Sequence, residues 1–133
     1  MREYVRLQTS ILLRRLAYQV SQAGKRADEE AIHDLRVSIR RLNRCLRAFS
    51  QFYPGNSWKK VRRRLGELMG AAGEVRDRDI AIRLLHEAGV PLDAPPVQAL
   101  RTERESALKH LVAILHHWKQ NSHSRKWREQ LGL

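Results

Sequence analysis

The sequence predicts an all-α protein, an antiparallel four-helix bundle whose third helix is kinked or broken near Gly73, followed by a short C-terminal tail. Three observations carry this expectation. Apolar residues recur at helical spacing rather than in alternation. Clusters rich in Gly, Pro and Asn (Ala23–Lys25, Phe52–Asn56 and Gly89–Pro96) cut the chain into helix-length pieces with short joins, as an up-and-down bundle requires. Finally, 133 residues with 42% hydrophobic content supply one hydrophobic core, because a chain of this size buries roughly two thirds of its unfolded surface. The 30% charged fraction must then lie mostly on exposed faces. This divides the chain into one domain at 1–121 and a tail at 122–133.

Each helix has its own apolar stripe. The first carries Val5, Leu12, Leu16 and Val20, helped by Leu13 and Ala23. In the second, Leu35, Ile39, Leu42, Leu46 and Phe49 follow a four-three-four-three spacing, with Asp28 placed to cap the helix. Glu29 and Glu30 follow in the first turn, where negative charge suits the helix dipole. The third helix begins with Trp58, Val61, Leu65, Leu68 and Ala72, capped by Asn56 or Ser57. Its Gly66, Gly70 and Gly73 each cost about 1 kcal/mol relative to Ala, which is the reason to expect a break there and a further helix from about Glu74 to Ala88. The fourth carries Val97, Leu100, Leu108, Leu111, Leu115 and Trp118, with Asp93 ahead of the prolines that start it. Arg104 falls inside that stripe, where a buried guanidinium needs an acidic partner (Asp77 or Asp79) or a bound phosphate. The tail is mostly polar, with Trp127 and Leu131 as docking points. Cys45, the only cysteine, sits beside the second stripe as a small buried hydrophobe and excludes an internal disulfide or a cysteine-based zinc site. The N-terminus alternates charged and apolar residues, unlike a signal peptide or membrane span, so a soluble cytoplasmic domain with no membrane partner is expected.

Charge is the second strong signal. Lys plus Arg is 26 against 14 Asp plus Glu, a net +12, and such a field attracts polyanions. Between Leu35 and Gly66 stand ten Lys or Arg residues and no acid. At roughly 100° per residue, His33, Arg36, Arg40, Arg44 and Arg47 gather about 100–180° from Leu35, with Arg41 at the flank. Lys59, Arg62 and Arg63 form a second ridge opposite Val61, continued by the three glycines. A solvated helix face usually interleaves acids at i+4. Without them the face is either an uncompensated solvated surface or a site whose counterions come with a ligand, and arginine suits bidentate phosphate contact. Aromatic residues scarcely interleave the ridge, which argues against single-stranded nucleic acid and its stacking platforms. The ridge offers no general base and no carboxylate cluster for Mg²⁺, so no catalytic residue, metal or cofactor is expected. The pair His33-Asp34 and the set His110, His116, His117 and His123 lack the spacing that would converge on one ion.

The stretch His33-Asp34-Leu35-Arg36-Val37-Ser38-Ile39-Arg40-Arg41-Leu42 resembles the His-x-x-Arg-Val-x-x-Arg-Arg pattern of the CHAD family, the conserved histidine α-helical domain. About forty residues on, Gly73-Glu74-Val75-Arg76-Asp77-Arg78-Asp79-Ile80 resembles that family's Gly-x-x-Arg-Asp-x-Asp signature. The resemblance covers roughly residues 1–120. It implies a helical bundle that binds inorganic polyphosphate without turning it over, with polyphosphate granules as an associated location. Carried over, His33, Arg36, Arg40 and Arg41 are phosphate contacts and Arg76 belongs to the second signature. The ridge adds Arg44, Arg47, Lys59, Arg62 and Arg63. The chain departs from the family in two ways. Asn43 stands where the family commonly has Arg, so that one contact is missing or passes to Arg44. The length suffices for one bundle where the family usually has two. A homodimer with two second-helix ridges facing a shared cleft, strengthened by polyphosphate, restores the pair. In that expectation Trp127 and the glycine face supply the contact. The competing functions are a nucleic-acid-binding helical domain, with nucleic acid otherwise held only non-specifically, and an enzyme acting on phosphate esters.

Overall fold

A computed structural model describes residues 1–121 and 123–133; Ser122, the first residue of the expected tail, lies outside the described residues. The chain forms α1 (Arg2–Lys25), α2 (Glu29–Ala48), a 3-10 turn (Ser50–Phe52), α3 (Ser57–Glu87), α4 (Pro95–Gln120) and α5 (His123–Gln130). It is all-α, with no strand among the described residues. The local signals act where the sequence puts them. The Asp28 carboxylate accepts the Ala31 N–H at 2.8 Å and starts α2. Pro95 takes the first position of α4, where its missing N–H costs nothing. Gly55 and Gly89, at φ 56° and 82°, make the left-handed turns before α3 and after it.

Consecutive long helices pack on one another, α1 on α2, α2 on α3 and α3 on α4, while α1 also touches α4. Their stripes meet in one core. Leu13 and Leu16, then Ile32, Leu35, Ile39, Leu42 and Leu46, then Leu65 and Leu68, and finally Leu111 and Leu115 are all fully buried. Each such side chain contributes about 1.5–3 kcal/mol relative to exposure. Leu12 is only partly buried because Leu13 holds the inward position. One polar cluster sits inside. The Thr9 hydroxyl donates to the Val5 carbonyl and lies 2.7 Å from the Tyr53 hydroxyl, with the Cys45 thiol 3.6 Å from both. Burial pushes the Tyr53 pKa far above its usual range, so the group stays a neutral hydrogen-bonding partner.

Two expectations are corrected. α3 runs unbroken through Gly73, so Glu74–Ala88 is not a separate helix. The glycine penalty of about 1 kcal/mol each is outweighed because Leu65, Leu68, Ala71, Ala72 and Val75 all bury on the other side of the same helix. The C-terminal segment docks through Trp127 and Leu131 as expected, but Trp127 is not left for a partner. α5 folds back and buries Trp127 and Leu131 in the core, Trp127 edge-on to Trp118 with ring centroids 4.4 Å apart. Trp127 is therefore an anchor within its own chain. No helix among the described residues is long and apolar enough to cross a membrane.

Candidate polyanion-binding face

The solvent side of α2 and the first half of α3 carry the basic ridge. Inward Leu35, Ile39, Leu42 and Leu46 fix the rotation of α2, and that rotation turns Arg40, Arg44 and Arg47 outward, all exposed. None of Arg36, Arg40, Arg44, Arg47, Lys59 or Arg63 has a carboxylate within 4 Å among the described residues. Arg36 leans across to α3, where a Cβ on Gly73 would lie 4.0 Å from its Nη2. Its Nε is buried and has no hydrogen-bond partner. Arg62 is held differently: its Nε donates to Asn43 Oδ1 at 2.8 Å, tying α3 to α2. The residue that departs from the family pattern thus orients an arginine instead of adding one. Lys59 lies over the Trp58 ring at 5.7 Å. Beyond these side chains, Gly66 and Gly70 leave the backbone of α3 open, with nothing within 4 Å of where a Cβ would be.

The remaining expected residues lie elsewhere. His33 and Arg76 line a shallow hollow with Glu29, Glu30 and Arg83, one turn before Arg36 along α2. Arg76 there donates to Glu29 at 3.1 Å and Arg83 to the same carboxylate at 2.6 Å. Arg41 does not join the ridge; it lines the groove on the opposite side of α2, beside α1. Along α2 and the first half of α3, Arg36, Arg40, Arg44, Arg47, Lys59 and Arg63 thus stand without carboxylate partners among the described residues, Arg62 is tied to Asn43, His33 and Arg76 line a separate hollow, and Arg41 lines the α1 groove.

Arg104 finds an acidic partner, not an open position. Its Nε donates to Asp79, which is 8% exposed, and its Nη2 donates to the Ala27 carbonyl at 2.8 Å. Asp77, the other candidate partner, is exposed. The sequence reading missed Glu29 and Arg83, whose contacts span 47 and 54 residues and leave no local signature. It also missed Arg78, which pairs with Glu74 and Glu103. Among the described residues no three His, Cys, Asp or Glu side chains gather as metal ligands.

Compared with known proteins, residues 9–132 match the family model of the CHAD domain. No curated protein and no solved structure is matched.

Proposed function

The chain belongs to the CHAD domain family, in a roughly half-length form, and we propose that its α2–α3 face binds inorganic polyphosphate without catalysing its turnover. One observation carries this reading: the ridge of arginines along α2 and the start of α3 has no carboxylate within 4 Å among the described residues, and at its Gly73 end the Nε of Arg36 is buried without a partner. An unsatisfied buried donor costs about 1–3 kcal/mol, and native proteins leave few of them. A phosphate oxygen seated among Arg36 and its neighbours supplies the missing countercharge, and it meets the Nε of Arg36 once that side chain turns outward. Arg40, Arg44, Arg47, Lys59, Arg62 and Arg63 extend the contact along the ridge. His33 and Arg76 form its end, with Arg76 already half neutralised by Glu29. Arg41 is reached only by a ligand that wraps over α2.

The dimer remains part of this proposal in altered form. Trp127 is spent on the chain's own core, so two copies meet across polyphosphate itself, with the open strip at Gly66 and Gly70 as the surface of closest approach. The cytoplasm is the corresponding location.

Competition binding tests the reading. Linear polyphosphate is expected to displace duplex DNA at far lower concentration than the reverse. Its affinity is expected to fall steeply between about 50 and 200 mM salt through counterion release. Equal competition by DNA, or a salt-independent affinity, overturns the proposal, and steady release of orthophosphate over hours makes the protein an enzyme.

A further inference from the structure

α1 is apolar on two sides. Val5, Leu13, Leu16 and Val20 face the core, whereas Tyr4, Leu7, Ile11 and Tyr18 recur at helical spacing on a line roughly opposite to it. Tyr4, Leu7 and Tyr18 are 55%, 58% and 60% exposed. Single exposed apolar residues are ordinary; a stripe of them spanning about 21 Å of helix is not. The stripe borders an open groove of about 530 Å³ between α1 and α2. Ile11, Leu12 and Val37 form its apolar part, and Arg14, Arg15 and Arg41 its charged part. None of these arginines has a carboxylate within 4 Å among the described residues, and Asp34 is the only acid lining the groove.

We propose that this α1–α2 groove docks an acidic amphipathic helix of a partner protein, its apolar face on Leu7, Ile11 and Tyr18 and its carboxylates on Arg14, Arg15 and Arg41. The stripe is as long as four helical turns, more than a compact small molecule covers. A planar lipid headgroup layer meets the exposed Leu7 and Tyr18 but not the partly buried Leu12 and Val37 that line the groove. The uncompensated arginines demand negative charge at the flanks of the occupant, and helix-in-groove recognition reads apolar anchors at i, i+3, i+4 and i+7. A second copy of this chain across a twofold axis brings a further set of the same arginines into one interface. This docking surface lies across α2 from the polyanion ridge and does not rest on the polyphosphate reading.

The test uses the full chain and a labelled helical peptide with Leu at those anchor positions and Glu on both flanks. The Glu peptide is expected to bind, and its Lys-flanked counterpart to bind at least about ten-fold more weakly. Arg14→Glu with Arg15→Glu is expected to weaken the Glu peptide by about ten-fold or more, and Leu7→Ser to weaken it as well. Polyphosphate affinity should then change by less than about three-fold, and Arg36→Glu with Arg40→Glu should leave the peptide bound. The proposal is overturned if the Glu peptide fails to bind the unaltered chain, or if its binding follows the Arg36 and Arg40 changes, which makes it general polyanion capture. It is equally overturned if the α1 variants instead abolish self-association in sedimentation, which identifies a second copy. Loss of binding to phosphatidylglycerol vesicles with no peptide effect identifies a membrane and overturns it too.

Discussion

Two arginine-rich regions of this molecule look alike in composition and behave oppositely. On α2 and the start of α3, Arg36, Arg40, Arg44, Arg47 and Arg63 stand without carboxylate partners among the described residues, and one of their nitrogens is buried and unbonded. On the second half of α3, Arg76 and Arg83 share Glu29 of α2, Arg78 takes Glu74 and Glu103, and Asp79 holds Arg104 of α4. The first region leaves its charge uncompensated within the chain. The second closes its charge on itself and so ties α3 to both neighbours. In the second signature Arg76 and Asp79 are held by partners within the chain, whereas Arg36 and Arg40 of the first have no carboxylate partner among the described residues.

The largest effect expected from breaking this contrast is at Asp79. Asp79→Ala strands a half-buried guanidinium and is expected to cost about 3 kcal/mol in urea unfolding, with polyphosphate affinity nearly unchanged in the folded fraction. Adding Arg104→Met should recover most of the loss, since a pair removed together leaves no orphaned charge. Next comes the ridge. Arg36→Glu with Arg40→Glu is expected to weaken polyphosphate binding at least about 100-fold, or ~2.7 kcal/mol, measured by titration. The melting temperature should hold or rise because self-repulsion is relieved. If that variant unfolds, the ridge is structural and the two regions are not different in kind. A smaller effect is expected at Arg76→Ala, a stability loss of about 1 kcal/mol with affinity down less than about three-fold. A greater loss of binding than the ridge reversal causes would move the site into the Glu29 hollow. The smallest effect on affinity is at Gly70→Ala, expected to stabilise α3 by about 1 kcal/mol in a thermal melt and to leave the affinity of a single copy unchanged, because nothing in its own chain occupies the space its methyl would fill, while it weakens the pairing of two copies across polyphosphate. A loss of affinity there would put phosphate on the backbone of α3.

Much of this was legible locally. The stripes of α2 and α4 needed only residue spacing, and the Asp28 cap only its place before Glu29 and Glu30. Even the Arg104–Asp79 pair could be named as one of three options, beside Asp77 and a bound phosphate, since a guanidinium in an apolar stripe admits few partners. What failed to show was tertiary. The glycines of α3 signalled a break because local propensity counts their entropy and not the buried leucines and alanines on the other face. Trp127 looked available to a partner because nothing in an otherwise polar segment says that it folds back onto Trp118. Glu29 looked like a dipole-suited first-turn acid, and its pairing with Arg76 and Arg83 depends on how far α3 extends beyond the expected break. Arg41 was placed at the flank by its angle, but the open groove beside it is a property of how α1 packs on α2.

Along α2 the guanidiniums of Arg36, Arg40, Arg44 and Arg47 follow one another by four, four and three residues, close to one per 5.4 Å turn. A linear polyanion is also a repeat of identical units, and two repeating ladders define no single register. A chain seated on such a face can shift by one unit, trading each contact for an equivalent one. Every added register multiplies the ways of being bound, so ten equivalent registers strengthen association about ten-fold, or ~1.4 kcal/mol, with no new contact. If this face binds a linear polyanion as proposed, it would rank its ligands by length rather than by shape, and hold them as a rail holds a carriage, firmly across and loosely along.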